Sequence, residues 1–409
     1  MRIAIVGGGI AGLVAAHLLN RDHTITLFEA NESPGGHTHT VPVELGSTKW
    51  EVDTGFIVYN EPNYPQFTRL LARLGVASQP SCMSFSVRAD RTDFEYNGST
   101  LNQLFGQRSN LVKPSFYRMV MDIRRFNREA PRAMLDGAAR ATLVEYVAAA
   151  RYSRQFVDHY IVPMASALWS QPRERVLDMP LAFLVRFLEQ HGMLALRDRP
   201  EWRVIRGGSR RYVEALTAPF RDRIRLRHPV QAVTRRPTHV EVDGETFDAV
   251  IVACHADQAL DILTDPTPAE RDILAAFPYQ ANDVVLHTDP SLLPRRRSLW
   301  AAWNYHLADD PAAPVAITYD MNILQTLEAP VTFCVTLNRT ADVAPERVLQ
   351  RLTFHHPVTT RASLRAQRRH GEISGVNRTH YCGAYWGNGF HEDGVTSALA
   401  ACTPFGATL

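Results

Sequence analysis

The chain has 409 residues, 45% of them hydrophobic, and a formal net charge of +2 at pH 7. That length exceeds what one core usually organises, so two domains are expected, and the near-neutral overall balance implies no nucleic-acid or other polyanion partner. Five scattered cysteines (Cys82, Cys254, Cys334, Cys382, Cys402) without C-x-x-C spacing exclude a disulfide framework or a zinc site and point to a reducing, cytoplasmic setting. No metal is expected. No apolar run reaches the roughly 18 residues a membrane-crossing helix needs, which leaves only peripheral contact with a membrane. The apolar start runs straight into three glycines and a β-α-β pattern, so it is not read as a removable leader.

Residues 3–12 read I-A-I-V-G-G-G-I-A-G: a buried strand, a glycine turn and a helix running from Ile10 to Leu19. Gly7 suits a tight turn and Gly9 a close backbone approach to a pyrophosphate. Gly12 suits tight helix–strand contact, while Ile10 and Ala11 open a helix whose N–H groups face phosphate. The next apolar run ends L-F-E-A, placing Glu29 about 20 residues beyond the turn, where a carboxylate accepts the hydroxyls of a ribose; Ala30 follows it. This order of elements predicts a dinucleotide site. A second glycine pair, Gly35-Gly36, then leads into His37 and Thr38. A nicotinamide-only fold would run here into its next helix, so the pair suggests a longer cofactor lying over both turns. His39 also reads as a plain loop residue. Further along, apolar periodicity predicts helices over 64–74, 116–127, 142–150 and 180–190. Short strands are expected through 228–233 and 240–242, and a buried strand over 247–254. The fold class is α/β: a Rossmann-like domain of segments 1–58, 202–257 and 371–409, interrupted by an α+β substrate domain of 59–201 and 258–370.

The doubled glycine turns, the twice-interrupted domain and the closing segment Y-C-G-A-Y-W-G-N-G-F-H-E-D-G-V-T-S-A-L (381–399) resemble the flavin-containing amine oxidase superfamily, whose nucleotide domain is glutathione reductase-like. The resemblance implies FAD, held non-covalently. It places Gly35 and Gly36 over the pyrophosphate and ribityl chain, with His37, Thr38 and Thr40 beside them. It adds Gly55, Phe56 and Val230 to the cofactor contacts and brings Gly383 close to the ribityl chain. It also opens a helix at Gly394 and Val395 whose positive end faces the flavin. V-D-T-G-F-I-V-Y-N (52–60), W-R-V-I-R-G-G-S-R-R-Y-V (202–213), H-P-V (356–358) and G-F-H-E-D-G (389–394) look like a bacterial group of NAD/FAD-binding proteins. That group is associated with cyclopropane-fatty-acid-synthase-like methyltransferases, and some members are implicated in desaturating methyl-branched acyl chains. The resemblance thus implies a lipid or other small-molecule substrate and a lipid methyltransferase as partner. The final helix meets Pro404 and is shorter than the superfamily norm.

Amine oxidases resemble one another in a lysine that holds water beside the flavin, yet this chain has no lysine after Lys113. Phe390 matches one aromatic of the amine cage; the second member is not identifiable, although Trp386 is near. Trp169, Trp300, Trp303, Tyr305 and Phe183 read either as core or as the wall of an apolar cavity. His391, Glu392, Tyr59 and His356 are the candidates for catalysis, with Asp393, His355 and His306 behind them. Glu392 reads equally as an acid favoured at a helix N-terminus, and His391 as a donor beside the cofactor. His355 and His356 could simply shape the loop before Pro357; adjacent strand residues face opposite ways, so the pair is not a metal site. The reading is an FAD-dependent oxidoreductase that abstracts hydride (desaturation) from an apolar, fatty acyl substrate. The alternatives are a flavin amine oxidase and a non-catalytic flavin-binding accessory protein for a lipid-modifying partner.

Overall fold

A computed structural model describes residues 1–135, 137–195, 197–308, 310 and 313–409. Five strands form a wholly parallel sheet in the order Ile224–Arg225, Thr24–Phe28, Arg2–Val6, Ala249–Val252, Thr379–Tyr381. Its central strand is buried on both faces, as parallel strands are. Ile3 and Ile5 point to one side, where the helices Ile10–Leu19 and His391–Cys402 lie. Ala4 and Val6 point to the other, where the antiparallel strands Val233–Arg235, Val240–Val242 and Glu245–Phe247 cover them. The alternation of side chains along a strand thus assigns each residue to one of two cores.

A second, larger sheet is mixed and seven-stranded: Val348–Pro357, Tyr279–His287, Cys334–Leu337, Ala316–Asp320, Trp303–His306, Phe85–Ala89, Phe94–Asn97. Helices Pro114–Leu135, Leu143–Ala149, Val162–Trp169 and Leu181–Gln190 share its core. Three of the four helices expected from periodicity match closely, as Pro65–Leu74, Leu143–Ala149 and Leu181–Gln190. The fourth is longer than expected at 22 residues. Leu143–Ala149 begins with a reciprocal cap, Thr142 accepting from the Glu145 N–H while the Glu145 carboxylate accepts from the Thr142 N–H. Residues 228–232 form no strand, because Asp243 takes the N–H groups of Gln231 and Ala232 that a neighbouring strand would need. A small antiparallel sheet, Val58–Asn60 and Ser78–Ser81 on either side of Trp202–Ile205, joins the two regions.

Candidate functional site

The site begins at the C-terminal edge of the parallel sheet, where ligands bind in open α/β folds. Gly7 adopts φ +107°, and a Cβ there would lie 2.9 Å from the Ala253 carbonyl. A Cβ on Gly12 would lie 1.9 Å from the Gly7 oxygen, so the helix sits on the turn as only glycine allows. Gly9 faces open space, with no atom within 4 Å of where its Cβ would be. The helix from Ile10 has no side-chain cap and no acid in its first turn, so its N–H groups and positive dipole end are left for an anion. The second turn closes over the first: the Gly35 N–H donates to the Gly8 oxygen at 2.7 Å, and a Cβ on Gly36 would lie 3.1 Å from the Gly9 Cα. Glu29 is buried, accepting from the Gly8 N–H at 2.8 Å and from the backbone and side chain of Asn31 at 2.8 and 2.7 Å; Ala30 is exposed beside it. An uncapped helix end, an open glycine and an oriented carboxylate fit a dinucleotide pyrophosphate and ribose.

The Gly35–Thr38 loop runs beside 54–56, with the Thr54 N–H bonded to the His39 oxygen and the Phe56 N–H to the His37 oxygen. Gly55 is required there, because a Cβ would lie 2.0 Å from the His37 oxygen. Beyond it, the Nε2 of His391 is 2.7 Å from the Tyr212 hydroxyl and 3.0 Å from that of Thr38, and the two hydroxyls bond each other. The Phe56 ring stacks on the imidazole at 3.5 Å. Burial pushes His391 down to about 3, so it is neutral at physiological pH. Glu392 turns away from this group: its oxygens accept the N–H groups of Gln66 and Phe67 at 3.0 and 2.9 Å, capping the helix Pro65–Leu74. Tyr59 is buried among Tyr64 and Phe67, and Phe67 in turn packs edge-on to His391 at 5.7 Å.

The final helix starts at His391, three residues before the expected Gly394, with Asp393 accepting the Phe390 N–H at 2.9 Å. Gly394 serves helix packing, since a Cβ would meet Ile10 at 2.7 Å, and Val395 is core. Glu392 and Asp393 occupy the first turn and offset the positive terminus expected to face the flavin. Gly383 donates its N–H to Ser397 on that helix. Val230 packs in the other core, with Phe28 and Phe247.

His356 lies on the end of the edge strand Val348–Pro357, where its ring is 5.2 Å from His37, while Phe354 stacks on His37 at 5.0 Å. Asn338 donates to Asn282, and Asn282 donates to the His356 Nδ1 at 2.9 Å, which orients that ring. Burial and the neighbouring His255 and His355 hold His356 down at about 4. No group of three potential ligands has metal-binding geometry among the described residues.

Residues that sequence reasoning did not single out complete the arrangement. Tyr212 lies within the flagged 202–213 segment, yet nothing local marked it as the partner of His391. Asp53, fully buried, accepts from Thr40, from the Ser209 N–H and hydroxyl, and from Gln325, tying the loop 53–56 to the helix Arg210–Thr217. Burial raises Asp53 to about 7. A carboxyl that binds its proton more tightly when folded loses stability as pH rises from its unfolded value near 4 through 7. Wild type should therefore lose stability relative to Asp53→Asn across that window, by up to about 1.4 kcal/mol per pH unit. Urea titrations at several pH values read this directly; parallel curves would contradict it. Phe390 stacks on Phe187 at 5.0 Å with Trp169 at 6.4 Å and His191 at 6.3 Å, forming an aromatic wall. Trp386 instead packs on Phe277, Tyr385 and His370, so it is not a second ring facing Phe390.

A family model described as flavin containing amine oxidoreductase matches residues 10–298. The chain is 22% identical over 344 residues to amine oxidase [flavin-containing] A of Bos taurus, which covers 78% of this chain but 61% of that relative's length. Among solved structures, cyclohexylamine oxidase from Brevibacterium oxydans superposes with a TM-score of 0.69 at 15% identity, covering 99% of both chains. The CLA-producing fatty acid isomerase from P. acnes gives 0.68 at 15% identity, covering 99% of this chain and 98% of that one. These likenesses share the fold, and the glycine turns, Glu29 and the uncapped helix suit the cofactor. The chain belongs to the flavin containing amine oxidoreductase family, with FAD as its cofactor.

Proposed function

We propose that this protein is an FAD-dependent oxidoreductase that removes hydride from an apolar, fatty acyl substrate and so desaturates it. The observation that carries this reading is the aromatic wall around Phe390 at the start of the final helix. Phe390, Phe187, Phe183 and Trp169 line up there, and no lysine follows Lys113. Bound FAD, held non-covalently, supplies the hydride acceptor. The chain's own residues do the rest. The glycine turns and Glu29 anchor the cofactor, and the aromatic wall aligns an acyl chain and keeps water out. His391, fixed by Thr38 and Tyr212, borders the reacting carbon as a neutral hydrogen-bonding group. His391 and His356 sit near 3 and 4, so neither is a strong base at neutral pH. Departure of hydride first makes the neighbouring C–H acidic enough for such a weak acceptor. Flavin reduction should then show no ionisation of either imidazole above about pH 5, given those values; a histidine-dependent rise near pH 6–7, tested with His356→Gln, would contradict this order.

Amine oxidation is the second reading, because the same rings attract a cationic amine and structural neighbours include an amine oxidase. Incubating the protein with a saturated acyl lipid and measuring its mass separates the two: desaturation removes two hydrogens from the lipid, whereas unchanged lipid alongside consumed amine reverses the assignment. A lipid methyltransferase partner and a cytoplasmic location rest on the sequence resemblance alone, and affinity capture with fractionation tests both.

A further inference from the structure

The helix Pro114–Leu135 buries one face, through Phe116, Met119, Phe126 and Ala130. Its opposite face is exposed. At the spacing of successive turns it presents Tyr117, Met121, Arg124, Arg128, Arg132 and Leu135, with Met121 59% and Leu135 88% exposed. The segments before it extend this surface. Val112 is 81% and Leu101 78% exposed. The Tyr117 hydroxyl donates to the Leu111 oxygen, and Arg108 donates to Asn102 and to the Phe105 oxygen, which ties 101–105, 108–112 and the helix start together. Five large apolar side chains (Leu101, Leu111, Val112, Tyr117, Met121) therefore stand at one end of a continuous outer surface.

The charge on that surface is lopsided. Residues 108–132 contain seven arginines and lysines against two acids, in a chain whose net charge is +2. One of the acids, Asp122, is buried on the inner face and pairs with Arg118 and Arg125, which leaves Arg108, Lys113, Arg124, Arg128 and Arg132 against Glu129. A soluble surface gains nothing by exposing two leucines, a valine, a tyrosine and a methionine together. A helix with apolar side chains and arginines on one exposed face is built to lie in a lipid interface. There the apolar groups enter the acyl boundary while the arginine stems extend to anionic headgroups. At 22 residues the helix is about 33 Å long, enough to lie along a bilayer surface.

We propose that the outer face of Pro114–Leu135, together with Leu101, Leu111 and Val112, docks this protein onto anionic phospholipid bilayers. The surface belongs to the substrate-side region, and the inference does not depend on which substrate is oxidised. The full-length protein should sediment with phosphatidylcholine vesicles containing roughly one-third phosphatidylglycerol and not with phosphatidylcholine alone, and salt should weaken the association. Val112→Glu combined with Met121→Glu, and separately Arg124→Glu combined with Arg128→Glu, should each lower the bound fraction at least roughly tenfold. These side chains are exposed, so unchanged flavin content and thermal unfolding would show that both variants fold. Leu226→Glu, an exposed apolar residue elsewhere, should bind as wild type. The proposal is overturned if wild type stays in the supernatant with anionic vesicles, or if both double variants sediment like wild type. It is equally overturned if light scattering shows a dimer that Val112→Glu/Met121→Glu dissociates, since the face would then cover a second copy of the chain.

Discussion

Glu29→Ala should leave the purified protein largely without FAD after dialysis. The carboxylate is buried and already held by the Gly8 N–H and by both donors of Asn31, so its remaining lone pairs would be free to accept the hydroxyls of a ribose. Charge-assisted hydrogen bonds of this kind are worth about 1.5–3 kcal/mol, roughly a ten- to hundredfold weaker Kd. The loss should exceed that of a simple contact, because the Gly8 N–H would also lose its acceptor inside the turn. Glu32→Ala is the matched control. That side chain is 79% exposed and, among the described residues, pairs only with Arg227, so FAD retention should not change. Equal flavin content in wild type and Glu29→Ala, measured by absorbance after acid release, would show that the ribose acid lies elsewhere.

His391→Ala should slow flavin reduction by an accepted substrate at least roughly tenfold, the lower end of what positioned polar groups contribute, while FAD stays bound. The imidazole closes a three-way contact with Thr38 and Tyr212 and fills the space over Phe56. Removing it takes away the partner that both hydroxyls share and opens a gap beside the cofactor loop, yet leaves the glycine turns intact. Glu392→Gln should behave differently despite being the next residue. It caps the helix Pro65–Leu74, and weakening a cap costs about 0.5–2 kcal/mol, so its effect should be on thermal stability. Stopped-flow reduction of both variants distinguishes the roles. Wild-type rates for His391→Ala would make that residue structural and move attention to Tyr59 and His356.

The local parts of this site were legible in the sequence, because their chemistry is carried by neighbouring residues. Gly7, Gly9 and Gly12 lie in one turn, Glu29 at the end of the next strand, and Gly35-Gly36 just after it. Helices were legible where apolar spacing coincided with start signals, as at Thr142 with Glu145. The contacts that assemble the site were not legible, because they join distant positions. Thr38 and His391 are 353 residues apart, Glu392 and Gln66 326, and Asp53 and Gln325 272. No periodicity encodes such pairs. The final helix starts three residues before the Gly394 that the family resemblance implies. At Gly394 two helices touch, and the acids Glu392 and Asp393 are the signal for the earlier start. The strand expected over 228–233 failed for a related reason: Asp243, a dozen residues away, supplies the acceptors that a strand partner would have provided.

Anaerobic titration of the flavin-loaded protein with acyl lipids and, in parallel, with primary amines separates an acyl-lipid oxidoreductase from an amine oxidase. An apolar-substrate oxidoreductase should lose the visible absorbance of its flavin on adding a saturated acyl lipid and keep it with every amine. Bleaching by an amine with no response to any acyl lipid would contradict the account.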